Sequence, residues 1–291
     1  MIEAINSEGR QGRSQTTKAA TPSARGRPVS IMSSDGACLD YVAYVPENAG
    51  PDSPLLVCLH GLKRNPAEQI FRFAPYADRN NVVLLAPLFS RGRFKRFQTL
   101  DPNESGELAE DLFDATIADI MDRYNLANSR LWLFGFSGGG QFAHRYAMLG
   151  RHRLDRLAIV APGWFTIPEP DLPYPFGTGP SGKLNGRILD SGLLLETPSL
   201  LVVGSRDTAR GVSLNQDPRI DNFQGRTRLA RARSWIEHMQ LLAHRQDKPC
   251  TWDFVTIEGA KHSFSRMIDQ YGLADVLFEW LAKEPDNQEM R

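Results

Sequence analysis

The sequence predicts an α/β fold whose mostly parallel, twisted sheet of about eight strands carries helices on both faces. Two observations support this prediction. Short runs that are apolar throughout, at 54–60 and 199–205, are typical of strands covered on both faces. Amphipathic segments with helical spacing lie between such runs, and this alternation indicates repeated βα units. The 291 residues suit one large domain, although length alone also allows two small ones.

The predicted strands and helices follow one another from residue 28 to residue 283. The strands are expected at 28–33, 38–46, 54–60, 81–87, 130–135, 156–161, 199–205 and 251–257, and the helices at 66–80, 104–124, 138–150, 223–246 and 264–283. The first two strands form an antiparallel pair around a turn at 34–36. The second helix is predicted from apolar side chains that recur at helical spacing between Leu108 and Tyr124.

Residues 162–198, after the sixth predicted strand, interrupt this alternation with a segment rich in Pro and Gly. So long an irregular insertion in a compact domain usually has a role, and we expect a lid or a binding loop. Trp164 and Phe165 come directly after the strand and are predicted to contact substrate near the mouth of the site. The alternative is that these aromatic side chains anchor the loop to the body of the domain.

Residues 1–27 are predicted to form a disordered basic tail, and residues 28–291 a single domain. The tail is rich in Ser, Thr, Ala, Gly and Arg, a composition that buries too little apolar surface to fold. It lacks the apolar centre of a secretory signal, and no part of the chain reaches the apolar length of a transmembrane helix. We therefore expect a cytoplasmic protein that does not enter membranes.

Charge and cysteine content argue against further classes. A formal net charge of zero gives no electrostatic reason for binding nucleic acid or an anionic membrane. The basic run at 226–233 has apolar neighbours at helical spacing, and it is interpreted as part of an exterior helix. Cys38, Cys58 and Cys250 are odd in number and lack metal-site spacing, which indicates free thiols in a reducing compartment and no metal site.

The most informative motif is Gly135-Phe136-Ser137-Gly138-Gly139, between a predicted strand and a predicted helix. Strand, G-x-S-x-G and helix in this order form a nucleophile elbow. Its outer glycines let the strand and helix backbones pass close together. The serine then lies at a helix N-terminus, where backbone N–H groups favour developing negative charge. Ser137 is therefore predicted to be a catalytic nucleophile, with a purely structural turn as the alternative.

A serine hydroxyl needs a base to accept its proton and a third group to orient that base. In open α/β sheets such groups gather at the carboxyl ends of strands. Asp207 follows strand 199–205 and His262 follows strand 251–257, so these two are predicted to complete a triad with Ser137. The alternative acids are Asp190, Asp217 and Asp221, and the less favoured histidines are His144, His152, His238 and His244.

Acyl transfer builds negative charge on a carbonyl oxygen, and two preorganised backbone N–H groups stabilise that charge. Gly138, directly after the nucleophile, is predicted to supply one of them. Leu62 is predicted to supply the other, because Leu59-His60-Gly61-Leu62 follows a buried strand. His60 is interpreted as a structural or orienting residue of this loop, and not as the base.

These residues together resemble the α/β-hydrolase superfamily over about residues 28–283. The chain order Ser137, Asp207, His262 is the order found in that superfamily. Within it, the LHG loop and the Gly-rich elbow are most similar to esterases related to polyhydroxybutyrate depolymerases and feruloyl esterases. The resemblance implies an eight-stranded core and cleavage of a small carboxylic ester through an acyl-enzyme, without a cofactor or a metal. A serine peptidase, an acyltransferase and a noncatalytic small-molecule-binding protein on this scaffold are the alternatives.

Overall fold

An eight-stranded sheet forms the centre of the protein in a computed structural model that describes residues 24–283. The strands are β1 (Val29–Ile31), β2 (Tyr41–Tyr44), β3 (Leu55–Leu59), β4 (Val83–Pro87), β5 (Leu131–Phe136), β6 (Arg156–Val160), β7 (Ser199–Gly204) and β8 (Trp252–Ile257). Their order in the sheet is β1-β2-β4-β3-β5-β6-β7-β8. The β1–β2 and β2–β4 pairs are antiparallel and the other pairs are parallel, which confirms the predicted mostly parallel sheet.

Helices cover both faces of this sheet, as predicted. They are α1 (Pro66–Asn80), α2 (Ala109–Tyr124), α3 (Gly138–Ala147), α4 (Leu193–Glu196), α5 (Pro218–Gln224), α6 (Arg228–Arg245), α7 (Phe264–Tyr271) and α8 (Leu273–Ala282). Side chains of β5 alternate between two apolar clusters. Leu133 packs with α2, α3 and α6 on one face, whereas Phe134 packs with α1, α7 and α8 on the other. Loops leave this sandwich at the carboxyl ends of its parallel strands, the edge at which ligand sites of open α/β sheets form.

Two of the predicted helices are each divided in the structure. The segment 223–246 was expected to be one helix, but α5 ends at Gln224 and α6 begins at Arg228. The Thr227 side chain accepts a hydrogen bond from the first turn of α6, which starts a new helix at that point. The closing helix is interrupted at Gly272, which has a φ of 67° and separates α7 from α8.

Residues 24–27, which the sequence assigned to the tail, are part of the folded structure. Arg25 Nη1 donates to Ala49 O at 2.7 Å, and Gly26 N–H donates to Val45 O at 2.8 Å. The remainder of the predicted tail lies outside the described residues. No helix within residues 24–283 combines the length and the apolar character that crossing a membrane requires. All three cysteines are free thiols.

The insertion at 162–198 is attached to the body of the protein by buried polar contacts. The Tyr174 hydroxyl donates to Thr99 O, and the Arg187 guanidinium pairs with the Glu110 carboxylate of α2. Glu110 is fully buried and the Arg187 side chain is 11% exposed. Burial raises the pKa of Glu110. A buried carboxylate is costly unless it is paired, so Arg187 fixes the insertion on α2.

Replacing Arg187 with Met is expected to lower the free energy of unfolding by about 3 kcal/mol at neutral pH, because it leaves the Glu110 carboxylate buried and unpaired. A buried acid whose folded-state pKa is raised binds more protons when folded, so stability falls as the pH rises. The deficit should therefore shrink between about pH 7.5 and about pH 5. Urea unfolding at both pH values measures it.

Lys248→Gln, which removes the exposed ion pair with Glu196, is the matched control. This variant should change the unfolding free energy by less than about 1 kcal/mol at either pH. An equal loss in the two variants would contradict the anchoring role of Arg187.

Candidate active site

Ser137 lies between β5 and α3 in a strained backbone conformation. Its φ is 54° and its ψ is −110°, values that residues other than glycine rarely adopt. The backbone holds it there: Ser137 N–H donates to Val160 O at 2.8 Å, and Gln141 N–H donates to Ser137 O at 3.1 Å. Strain of this kind persists only where the surrounding structure enforces it, and it is common at functional sites.

The turn at Ser137 depends on two glycines that flank it. A Cβ on Gly135 would lie 2.4 Å from Gly139 O, and a Cβ on Gly139 would lie 2.2 Å from Leu59 O. No side chain fits at such distances. The motif glycines therefore let β5, α3 and the end of β3 approach one another, as the sequence predicted.

The structure brings Ser137, His262 and Asp207 together. His262 Nε2 lies 3.1 Å from Ser137 Oγ, and His262 Nδ1 lies 2.8 Å from Asp207 Oδ2. Asp207 is 1% exposed. Because a carboxylate only accepts hydrogen bonds, Nδ1 carries the imidazole hydrogen and Nε2 faces the serine hydroxyl as an acceptor. The imidazole also stacks on Phe136, with 5.1 Å between ring centres.

The loops after β7 and β8 are held together, which places the acid beside the imidazole. Ser205 N–H donates to Ile257 O and Arg206 N–H donates to Ala260 O, both at 2.9 Å. Gly259 N–H donates to the Ser205 hydroxyl at 2.8 Å. The two strands are parallel neighbours, so their carboxyl ends carry Asp207 and His262 to the same edge of the sheet.

The alternative acids are engaged elsewhere. Asp190 accepts from the Gly192 N–H, Asp217 pairs with Arg219, and Asp221 pairs with both Arg210 and Arg231. Among the alternative bases, His144 is fully buried between the Gly140 carbonyl and the Thr166 N–H. None of these groups contacts Ser137.

Two backbone N–H groups lie beside the serine. If Gly138 carried a Cβ, that atom would lie 3.4 Å from Leu62 N. The backbones of Leu62 and Gly138, the two predicted donors, are therefore close neighbours. Within the described part of the chain, neither N–H donates to a protein acceptor. Free N–H groups that are fixed in place can stabilise a negative oxygen without reorganising.

His60 orients the peptide that carries the Leu62 N–H. It is 1% exposed, and its Nδ1 lies 2.9 Å from Gly61 O, while Phe89 N–H donates to Nε2 at 3.0 Å. Because Nε2 accepts, Nδ1 carries the hydrogen and donates to Gly61 O. Arg64 N–H donates to the same carbonyl at 3.0 Å. Burial lowers the pKa of His60 to about 4, so its ring is neutral at neutral pH. These contacts support the interpretation of His60 as an orienting residue.

Ser137 opens into a cavity of about 180 Å³. Its lining includes the predicted residues Leu62, Ser137 and His262. It also includes residues that no motif indicated, which are Lys63, Asn65, Glu68, Gln69, Ser213, Ser263, Phe264 and Ser265. The sequence did not reveal them, because these residues belong to no motif. Their only signal was a position in a loop or at the start of a helix, which many other residues share.

Trp164 and Phe165 do not line this cavity, contrary to the expectation that they contact substrate there. They are 5% and 1% exposed. The Phe165 ring stacks on Trp235 of α6, with 4.5 Å between ring centres, and the Arg145 guanidinium lies 4.4 Å from the centre of a Trp164 ring. The insertion turns toward α3 and α6 after β6, because burying these rings there removes apolar surface from water.

Two arginines of the basic run are also not where the sequence suggested. Arg228 and Arg231 were assigned to an exterior helix, but they are 3% and 0% exposed. Arg231 pairs with Asp221, and Arg228 lies beside Asp207. Helical periodicity alone did not reveal that these two arginines pair with carboxylates of other segments. Among residues 24–283, no three His, Cys, Asp or Glu side chains are grouped to hold a metal ion.

The sheet order and the strained serine at the end of β5 define the α/β-hydrolase fold, and the chain resembles serine hydrolases of that fold. Poly(aspartic acid) hydrolase-1 from Sphingomonas sp. KT-1 superposes with a TM-score of 0.71 at 24% identity, over 82% of this chain and 95% of that one. A poly(3-hydroxybutyrate) depolymerase from Bordetella parapertussis superposes with a TM-score of 0.71 at 25% identity, over 90% of this chain and 91% of that one.

A curated relative matches part of the sequence. The chain is 32% identical over 111 residues to a bifunctional acetylxylan esterase/xylanase from Neocallimastix patriciarum. The match covers 38% of this chain and 16% of that protein, so this chain spans only a small part of the relative's length. No family model matches the sequence.

His60 is expected to stay neutral when the pH is lowered to about 5, because burial holds its pKa near about 4. A histidine with a lowered folded-state pKa binds fewer protons when folded, so its contribution destabilises the fold as the pH falls below about 6.5. Long-range 1H–15N NMR should show hydrogen on Nδ1 and none on Nε2. Protonation of this ring at about pH 6 would contradict the described hydrogen bonds.

Proposed function

We propose that the protein is a serine hydrolase that cleaves carboxylic esters, with Ser137 as nucleophile, His262 as base and Asp207 as the orienting acid. The observation that carries this proposal is the pair of hydrogen bonds that links the Ser137 hydroxyl, His262 and Asp207 beside a cavity. A noncatalytic binding protein has no need of such an arrangement, nor of a strained serine next to two free N–H groups.

In the first half of the reaction, Ser137 Oγ attacks the ester carbonyl carbon while its proton moves to His262 Nε2. The carbonyl oxygen becomes negative, and the N–H groups of Leu62 and Gly138 stabilise that charge. The tetrahedral intermediate collapses, its carbon–oxygen bond to the alcohol breaks, and His262 Nε2 gives its proton to the departing oxygen. The acyl group is left as an ester of Ser137.

In the second half, water takes the place of the alcohol. His262 Nε2 accepts a proton from the water as its oxygen attacks the acyl carbon, and the same two N–H groups stabilise the negative oxygen. The bond to Ser137 Oγ then breaks, and the proton returns to that oxygen. Asp207 keeps the hydrogen of His262 on Nδ1 throughout and stabilises the imidazolium that forms twice in the cycle.

The size of the cavity supports a short substrate, and its lining combines apolar side chains with several hydroxyl groups. A volume of about 180 Å³ lies below the roughly 300–1,000 Å³ that is typical of ligand pockets. The lining carries three hydroxyl side chains besides that of Ser137, contributed by Ser213, Ser263 and Ser265. The curated relative is a bifunctional acetylxylan esterase/xylanase and one structural neighbour is a poly(3-hydroxybutyrate) depolymerase, so each name includes the cleavage of an ester.

Ser137→Ala is expected to abolish hydrolysis of p-nitrophenyl esters, with turnover lowered by more than about 10³-fold, because the nucleophile is lost. Ser234→Ala is the matched control. The Ser234 hydroxyl lies 3.4 Å from His238 Nδ1 on α6 but belongs to no cavity with Ser137. Its variant should keep wild-type turnover.

A fluorophosphonate probe distinguishes the alternatives. It should label Ser137 in the wild-type protein and not in Ser137→Ala, as mass spectrometry of the modified peptide would show. A wild-type protein that neither labels nor hydrolyses esters would favour a binding protein. Labelling without ester turnover would favour a peptidase or an acyltransferase.

Acyl length should limit the reaction. The specificity constant for acetyl and 3-hydroxybutyryl esters is expected to exceed that for the octanoyl ester by at least about tenfold, because a cavity of about 180 Å³ is too small to cover a long alkyl chain. Initial rates over a series of p-nitrophenyl esters measure this. A preference for octanoyl esters would contradict the proposed substrate size.

A further inference from the structure

Asp207 has a second partner that the triad does not explain. Its Oδ2 contacts His262, and its Oδ1 lies 3.5 Å from Arg228 Nη1. The Asp207 side chain is fully buried and that of Arg228 is 3% exposed. A buried cation therefore lies on the far side of the carboxylate from the imidazole, where its electrostatic effect is only weakly screened by water.

Arg228 also reaches the wall of the cavity. It is the first residue of α6, and its Nη2 donates to the Ser213 hydroxyl at 3.2 Å and to the Ser213 carbonyl at 3.4 Å. Ser213 lines the cavity around Ser137. The next residue, Leu229, donates its N–H to the Asp207 carbonyl at 3.4 Å. The start of α6 is thus in contact with both the acid and the loop that closes the cavity.

The remaining hydrogen-bonding capacity of this guanidinium is unused. Arg228 Nε is buried and has no partner among the described residues. A fully buried arginine that was only structural would be expected to bond with several carbonyls, as Arg231 does with those of Gly225, Gly163 and Asn215. Arg228 has its side-chain contacts with the Asp207 carboxylate and with Ser213, which lines the cavity.

We infer that Arg228 is a positioning residue of the active site, which fixes the Asp207 carboxylate toward His262 and ties the Ser213 segment of the cavity wall to it. This inference rests on the proposed function. It assigns to α6 a role in the reaction that no motif of the sequence carries. If so, the Arg228 side chain affects two properties of the site. These are the basicity of the Ser137–His262 pair and the fit of the substrate.

The sign of the electrostatic effect follows from the order of the charges. Arg228 and a protonated His262 are like charges on either side of the Asp207 carboxylate, and they repel one another. Removing the Arg228 charge therefore makes protonation of His262 more favourable. His262 must be neutral to accept the serine proton. When the pH is lowered, a variant without the Arg228 charge should therefore lose activity at a higher pH than the wild type does. The other charged groups around this site are Lys63, Glu68, Arg206, Arg210, Asp221, Arg231 and Lys261. Of these, Arg210 and Arg231 pair with Asp221 behind Arg228.

The test compares Arg228→Met, Arg228→Lys and Arg210→Met in the full chain with a p-nitrophenyl acetate substrate. Arg228→Met is expected to lower the specificity constant by about 10- to 100-fold and to move the acidic limb of its pH profile up by about one pH unit. Arg228→Lys keeps the positive charge but loses the planar, two-pronged guanidinium. The acidic limb of its pH profile should therefore stay in place while turnover falls several-fold. Arg210→Met, which removes a nearby cation paired with Asp221, should leave the profile unchanged.

The outcomes separate this inference from the proposed function. If Arg228→Met keeps the wild-type profile and specificity constant while Ser137→Ala is inactive, the positioning role is overturned and the esterase proposal stands. If the wild-type protein hydrolyses no ester, the proposed function fails, and the pH dependence of fluorophosphonate labelling at Ser137 then tests Arg228 alone. If Arg228→Met does not fold by circular dichroism, Arg228→Lys decides, because wild-type turnover in that variant overturns the role.

Discussion

The close backbone contact among β3, β5 and α3 is the constraint on which the site depends. Gly139 can meet Leu59 O, and Gly135 can meet Gly139 O, only because neither carries a Cβ. This contact holds Ser137 in its strained conformation of positive φ, and the first N–H groups of α3 have no intrahelical partners. It also brings the loop after β3, with the Leu62 N–H, to the same place. One steric condition thereby sets the conformation of Ser137 and the two N–H groups beside it.

A second set of contacts supplies the charged partners. The parallel pairing of β7 and β8 carries Asp207 and His262 to one edge of the sheet, and backbone hydrogen bonds between their loops hold them there. Behind the acid, α6 begins with a buried arginine. Taking two opposite charges out of water is costly, and such pairs are retained where geometry matters more than stability. The pair of Arg228 and Asp207 fits that pattern, since it bears directly on the orientation of the imidazole.

The fold and the substrate are decided by different parts of the molecule. The fold is similar to that of a poly(aspartic acid) hydrolase and a poly(3-hydroxybutyrate) depolymerase, at identities near a quarter of the aligned residues. The cavity wall is built from loops that follow the strands and from the first turns of α1 and α7. The insertion at 162–198 illustrates this. Its aromatic side chains are buried against α3 and α6, so its length and composition say little about what Ser137 meets. The substrate is proposed from the small, hydroxyl-rich cavity instead.

The sequence by itself determined the sheet class, and it predicted the turn at Ser137 and the grouping of Ser137, Asp207 and His262, because these depend on local pattern and on the rule that reactive groups gather at strand ends. Only the tertiary structure decided the burial of Trp164 and Phe165, the tie between Arg228 and Asp207, and the presence of Ser213 in the cavity wall. The physical reason is common to these cases. Periodicity shows which face of a segment is apolar, but it does not show which distant element meets that face. Arg228 and Asp207 are 21 positions apart on separate elements, and nothing local marks them as partners.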